Sequence, residues 1–219
     1  MSHLDSLILK YPDLDCCIPE IQSAYNVLQA AFQGGKKLLI CGNGGSAADS
    51  EHIVGELMKG FRLPRPVPEE LLQKLVNSYP EHGAYLASHL QGALPTYSLV
   101  SQTSLLTAFS NDVAPDLVFA QQVYGYGRPG DVLLALSTSG VSRNVIYALE
   151  LARTLELHTI GLTGKTGGSM KGLCEVTIQV PWDETSDVQE RHLAVYHAIC
   201  AMLEERFFPL RRSNPGDRR

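Results

Sequence analysis

The chain reads as an α/β protein built on a parallel sheet with helices on both faces. Three observations carry that reading. Short apolar runs alternate with longer segments whose apolar residues recur at helical spacing, which implies right-handed βαβ crossovers. Two of the runs end in turns rich in glycine and hydroxyl side chains, "GNGGS" at 42–46 and "STSGVS" at 137–142, and ligands of such sheets bind beyond the strand C-termini. The 219 residues are 44% hydrophobic and 19% charged, enough apolar material for one core and too little charge for global disorder.

Taken in order, the first element is a helix over 19–33, where Ile21, Tyr25, Leu28 and Phe32 form a stripe and Pro19 suits the first turn. "QGG" stops it, and "KKLLIC" is a short buried strand. The glycine turn follows, with Ser46 or Asp49 as the expected cap of the helix carrying His52 and Glu56. "RLPRPVPEE" is a bend, and 67–92 is helical in composition but broken near Pro80. It reads as an inserted helical excursion within a single domain spanning 1–219. "TYSLV" is a strand, "SLLTAFSND" a helix ending at Asn111 and Asp112, and "DLVFAQQVYGYG" another helix. The second half repeats the rhythm: strand "DVLLALS", helix "NVIYALELARTL", strand "HTIGLTG", a short turn and helix at "GGSMKGLC", strand "CEVTIQV" and a long closing helix from Ser186 to Phe208. The polar end, 211–219, is expected to be disordered.

Several classes are disfavoured. A net charge of −5 argues against a nucleic-acid partner, though a local site for an anionic small molecule fits an acidic protein. Cys16, Cys17, Cys41, Cys174 and Cys200 are odd in number and form no CxxC pair, so buried free thiols are expected rather than a disulfide framework. "MSHLDSLILKYPDLD" lacks a basic region followed by a long apolar one, so no signal peptide is read there. No window approaches a membrane span of about 20 apolar residues, and a cytoplasmic protein is expected. "GNGGS" has no following GK[ST], nor the GxGxxG spacing with an acidic partner, so a nucleotide or dinucleotide is disfavoured.

The chemistry lies in two groups of residues. Ser137, Thr138, Ser139 and Ser142 offer four hydroxyls beside the N–H groups of a helix N-terminus, a donor set suited to a phosphate monoester. With the first turn beside them, a sugar phosphate is a better fit than a nucleotide. His52 and Glu56 are i, i+4 and share a helix face. As a pair alone they are equally readable as solvated surface residues. The closing helix adds Gln189, His192 and His197. Two histidines, a carboxylate and an amide oxygen suit a borderline cation such as zinc, but spacing does not choose between His192 and His197. His82, His89 and His158 read as structural or surface residues.

The blocks "GNGGSAADSEH…E", "LTAFSND", "GDVLLALSTSGVSRNVIYAL", "LTGKTGG" and "QERHLAVYH" together resemble the SIS-domain phosphosugar proteins, nearest to their phosphoheptose isomerase branch. The resemblance covers the chain except for about 25 residues after Pro66. It implies a flavodoxin-like five-stranded parallel sheet, a homotetramer with active sites at subunit interfaces, and aldose–ketose isomerisation of a sugar phosphate such as sedoheptulose 7-phosphate. By the same resemblance, one zinc ion per subunit is held by His52, Glu56, Gln189 and His197. Phosphate-binding hydroxyls fall on Ser46, Ser137, Ser139 and Ser142 with Thr138 close by, and Asn43 and Asp112 contact the sugar. Glu56 is the implied base and His197 its acid partner. The run "TSDVQE" departs from the family by placing Ser186 and Asp187 where an Asp or Thr and an Arg are common. Two non-catalytic readings belong to the same superfamily: an adaptor for a replication-initiator protein, and a sugar-phosphate sensor. The complete donor set favours the enzyme.

Overall fold

Period-two alternation sorts the strand side chains onto the two faces of one sheet. In the computed structural model, which describes residues 1–210, the strands are β1 (Leu38–Cys41), β2 (Thr96–Ser98), β3 (Val132–Ser137), β4 (His158–Thr163) and β5 (Val176–Gln179). They pair in parallel in the order β2-β1-β3-β4-β5, the flavodoxin-like order. Leu38, Ile40, Leu134 and Leu162 enter one core, while Leu39, Cys41, Leu133 and Ala135 enter the other. The expected fold class is therefore realised. Every residue of β3 is buried, because a parallel strand is covered by helices on both sides.

The first face is covered by α2 (Ile18–Gln33), α3 (Gly45–Met58) and α9 (Thr185–Phe207). The second carries α6 (Thr103–Asp112), α7 (Val118–Tyr126) and α8 (Arg143–Thr154). Glycine, not a side-chain cap, starts α3. Gly44 sits at the N-cap with φ 57°, which favours glycine, and Ser46 lies inside the helix. Neither Ser46 nor Asp49 caps it. Before α2 stands an unanticipated helix, α1 (His3–Lys10), whose Ser2 and Asp5 form a reciprocal capping box. The expected helix at "GGSMKGLC" is a 3₁₀ turn over Gly168–Gly172.

The excursion consists of α4 (Glu69–Ser78) and α5 (Gly83–His89), which pack chiefly on each other. An antiparallel bridge between Pro66 and Gln91 closes its base, so the chain leaves and re-enters the sheet layer at nearly one point. Among the cysteines, Cys17, Cys41 and Cys200 are buried and all five are free, but Cys16 is exposed. The tail expected to be disordered, 211–219, lies outside the described residues.

Strand order reverses between β1 and β3. Both hydroxyl-rich turns follow those two strands, so they flank the crevice where the sheet's ligands bind.

Candidate active site

The two turns are tied to each other by side chains. Asn43 Nδ2 donates to Asn144 Oδ1, and Asn144 Nδ2 donates back to Asn43 Oδ1, each at 2.9 Å. Ser137 Oγ lies 3.0 Å from Ser142 Oγ and accepts from the Gly140 N–H at 3.2 Å. The Val141 N–H lies 3.4 Å from Ser139 Oγ. Ser142 occupies the N-cap of α8 but makes no capping bond with its side chain, so the first N–H groups of that helix are not covered by the serine. Free N–H groups, hydroxyls and the positive end of the helix dipole make this turn an anion cradle. Gly140 is required here: its φ is 67°, and a Cβ would lie 2.3 Å from Gly167 O in the loop after β4.

On the other side of the crevice, α3 and α9 pack against each other and bring together His52, Glu56 and His197. One ligand atom from each lies within 4.8 Å of the other two. His52 Nε2 is 3.1 Å from Glu56 Oε1, and the rings of His52 and His197 meet edge to face at 5.0 Å. Glu56 Oε2 and His197 Nε2 are buried without a hydrogen-bond partner, a costly condition unless a ligand satisfies them. Tetrahedral zinc with bonds of about 2.0–2.2 Å sets neighbouring donor atoms roughly 3.3 Å apart, close to the His52–Glu56 separation. Two imidazoles and a carboxylate, with one orphaned buried atom each on Glu56 and His197, fit such an ion.

Gln189 enters from the second turn of α9. It presses on the backbone of Gly45, where a Cβ would fall 2.4 Å from Gln189 Nε2. Ser46 is buried at the start of α3, on the same edge of the crevice. Spacing left two histidines on α9, and the structure separates them. His192 is fully buried beside the Thr163 backbone, away from the cluster, and burial pushes its pKa down to about 4. His197 lies in the cluster; burial, then the neighbouring His52, holds its pKa below the usual histidine value against the pull of Glu56. Asp112 sits exposed at the end of α6, accepting from Asn111 Nδ2, and no contact ties it to either turn. Thr138 is half-buried and Ser139 exposed at the cradle's rim.

Four residues were not assigned to the site from the sequence. Asn144 pairs with Asn43 across 101 positions. Asp49 and Tyr196 stand behind His52, with the Tyr196 hydroxyl 2.9 Å from His52 Nδ1 and 3.1 Å from Asp49 Oδ1. Arg62 stacks on Phe61, whose ring lies against His197. It supplies positive charge beside the site from a different element than "TSDVQE". A cavity of about 390 Å³ opens there, lined by Arg62, His197 and the α1 side chains His3 and Lys10. Of the four, only Asp49 left a sequence signal, its i, i+3 spacing to His52.

The chain is a SIS domain: the family model "SIS domain" matches residues 18–87 and 79–164. A phosphoheptose isomerase of Akkermansia muciniphila is 39% identical over 189 residues, covering 86% of each chain. One from Rhodospirillum rubrum is 41% identical, covering 86% of this chain and 87% of its own. The solved phosphoheptose isomerase of Neisseria gonorrhoeae superposes with a TM-score of 0.71 at 31% identity, over 93% of this chain and 95% of that one. The chain belongs to the phosphoheptose isomerase family of SIS-domain proteins.

Proposed function

We propose that this chain is an aldose–ketose isomerase that converts sedoheptulose 7-phosphate to a heptose 7-phosphate. The observation that carries the reading is the convergence of His52, Glu56 and His197 within 4.8 Å, beside a phosphate cradle, in a chain 41% identical to a phosphoheptose isomerase. Ser137, Ser139 and Ser142, with Thr138 and Ser46, hold the phosphate, and Asn43 and Asp112 orient the sugar. Fixing the phosphate spends remote binding energy on placing the two reacting carbons.

His52, Glu56, Gln189 and His197 would hold one zinc ion, which when bound supplies Lewis acidity toward the substrate oxygens. Glu56 removes a proton from the hydroxymethyl carbon next to the ketone, and its electron pair forms the enediolate. His197 moves the proton between the two oxygens, and return of a proton to the former carbonyl carbon completes the aldose. Glu56 has two oxygens for two tasks: Oε1 faces His52, while Oε2 has no partner.

A cytoplasmic homotetramer with sites at subunit contacts completes the reading, with no nucleic-acid or membrane partner. Its support is the family resemblance.

The test is incubation of zinc-loaded protein in deuterated water with a panel of C5 to C7 ketose phosphates. Deuterium uptake next to the carbonyl of the C7 sugar, with aldose formation, is expected. Absence of exchange with every sugar would overturn the enzyme reading, and capture of a replication-initiator protein would then favour the adaptor. Glu56→Gln should abolish exchange while phosphate binding persists; near-normal turnover would sink Glu56 as the base.

A further inference from the structure

His52 is held from behind by a buried phenol. Tyr196 is 2% exposed, and its hydroxyl bridges His52 Nδ1 at 2.9 Å and Asp49 Oδ1 at 3.1 Å. Asp49 and His52 lie three residues apart on α3, while Tyr196 comes from α9, directly before His197. The ring of Tyr196 also packs edge to face on both His52 and His197, with centroids 5.6 Å and 4.9 Å away.

The direction of these two hydrogen bonds follows from counting protons. With Asp49 ionised, the phenol carries one proton and the carboxylate none. If the hydroxyl donated to His52, its oxygen would face an Asp49 oxygen at 3.1 Å with no proton between them. If it donates to Asp49, it can accept from an N–H at His52 Nδ1, and both contacts become hydrogen bonds. The proton of the neutral imidazole is then on Nδ1 and the lone pair on Nε2, the atom 3.1 Å from Glu56 Oε1. With the ring neutral, two acceptors face each other there, and either a cation or a second ring proton reconciles them. Outer partners that fix a ligand histidine in this way orient the ring and raise its basicity.

We propose that Tyr196 is a positioning residue: its hydroxyl, anchored by Asp49, fixes the Nδ1–H tautomer of His52 and turns the Nε2 lone pair into the metal site. The proposal rests on the zinc-site reading above. It assigns His52 to metal binding alone, since its second nitrogen is committed to Tyr196, and leaves the proton transfers to Glu56 and His197.

Tyr196→Phe removes one oxygen and keeps the ring. Zinc affinity, measured by competition with a chromophoric chelator, should fall about 10- to 100-fold. Asp49→Ala, which removes the acceptor, should weaken zinc by a similar factor, and the double variant should be scarcely weaker than either single one, because both remove the same restraint. Nitrogen-15 NMR of the zinc-loaded protein should show the His52 proton on Nδ1 in the wild type and mixed tautomers in Tyr196→Phe. Loss of stability alone moves neither the tautomer ratio nor the pattern of the double variant. Zinc affinity within twofold of wild type in Tyr196→Phe, additive losses in the double variant, or a wild-type proton on Nε2 would each overturn the proposal. These readouts need no substrate, so a protein that binds zinc but isomerises no sugar overturns the functional reading and leaves this one standing.

Discussion

Replacing Glu204 tests how the site is held from its far end. Its carboxylate accepts from the N–H groups of Phe61 and Arg62 at 2.8 Å, from Leu63 at 3.2 Å and from Arg65 Nε at 2.8 Å. Both charged partners are 1% exposed. Arg65 in turn donates to Leu57 O at 2.7 Å and Glu56 O at 2.8 Å, satisfying the last carbonyls of the helix that carries His52 and Glu56. Burial raises the Glu204 pKa, but the N–H groups and the guanidinium outweigh it and hold it below the usual glutamate value, so the group is anionic at neutral pH. Glu204→Ala strands a buried guanidinium and three N–H groups. Removing one partner of a buried pair costs about 3–5 kcal/mol. Urea unfolding at fixed protein concentration should therefore shift its midpoint down by roughly 1–2 M, taking a slope near 3 kcal/mol per M. Glu204→Gln keeps the shape and one acceptor oxygen, and should cost about 1.5–3 kcal/mol, the range for hydrogen bonds to a charged group. Zinc affinity should fall in both, because the end of α3 is released. A loss below about 1 kcal/mol in Glu204→Ala would refute the reasoning.

Two further outcomes follow from particular contacts. His192 is buried neutral with a pKa near 4, below its value of about 6.5 in the unfolded chain. Its contribution is therefore constant above pH 6.5 and is lost at about 1.4 kcal/mol per unit as pH falls from 6.5 to 4, about 3 kcal/mol in all. The stability of wild type relative to His192→Leu should fall by about 3 kcal/mol across that window; parallel curves would contradict it. Gly45→Ala places a methyl 2.4 Å from Gln189 Nε2 and displaces a flexible amide rather than backbone. Zinc affinity should drop about tenfold or more with a stability change under about 1 kcal/mol; unchanged affinity would remove Gln189 from the ligand set.

The legibility of the fold and of the site had different physical roots. Strands buried on both faces must be apolar throughout, so "DVLLALS" and "HTIGLTG" announced β3 and β4, and the helical stripe announced α2 with nearly its observed bounds. α1 carries a legible signal, a serine three residues before Asp5. The start of α3 was misassigned because serine is the usual cap, whereas this turn needs the positive φ of Gly44.

In the site, local spacing revealed what one helix face presents, and nothing that depends on a second element. His52 and Glu56 were visible as an i, i+4 pair. His192 and His197, five residues apart, point about 140° apart on α9; which of them meets α3 is decided by packing, which the family resemblance supplied and spacing did not. Glu204 looks like an ordinary solvated charge in "LEERFF", and Arg65 like part of a proline-rich bend, yet they form a buried ion pair. Its placement has a consequence for the chemistry. Glu204 lies two turns beyond His197 on α9, and Arg65 holds the carbonyl of Glu56 itself. The same pair therefore fixes both helices that supply the proposed metal donors. Tyr196 joins those helices a second time at His52. Held at two heights along their contact, α3 and α9 keep His52, Glu56 and His197 together before any ligand binds, and the ordering cost is met during folding rather than at each turnover.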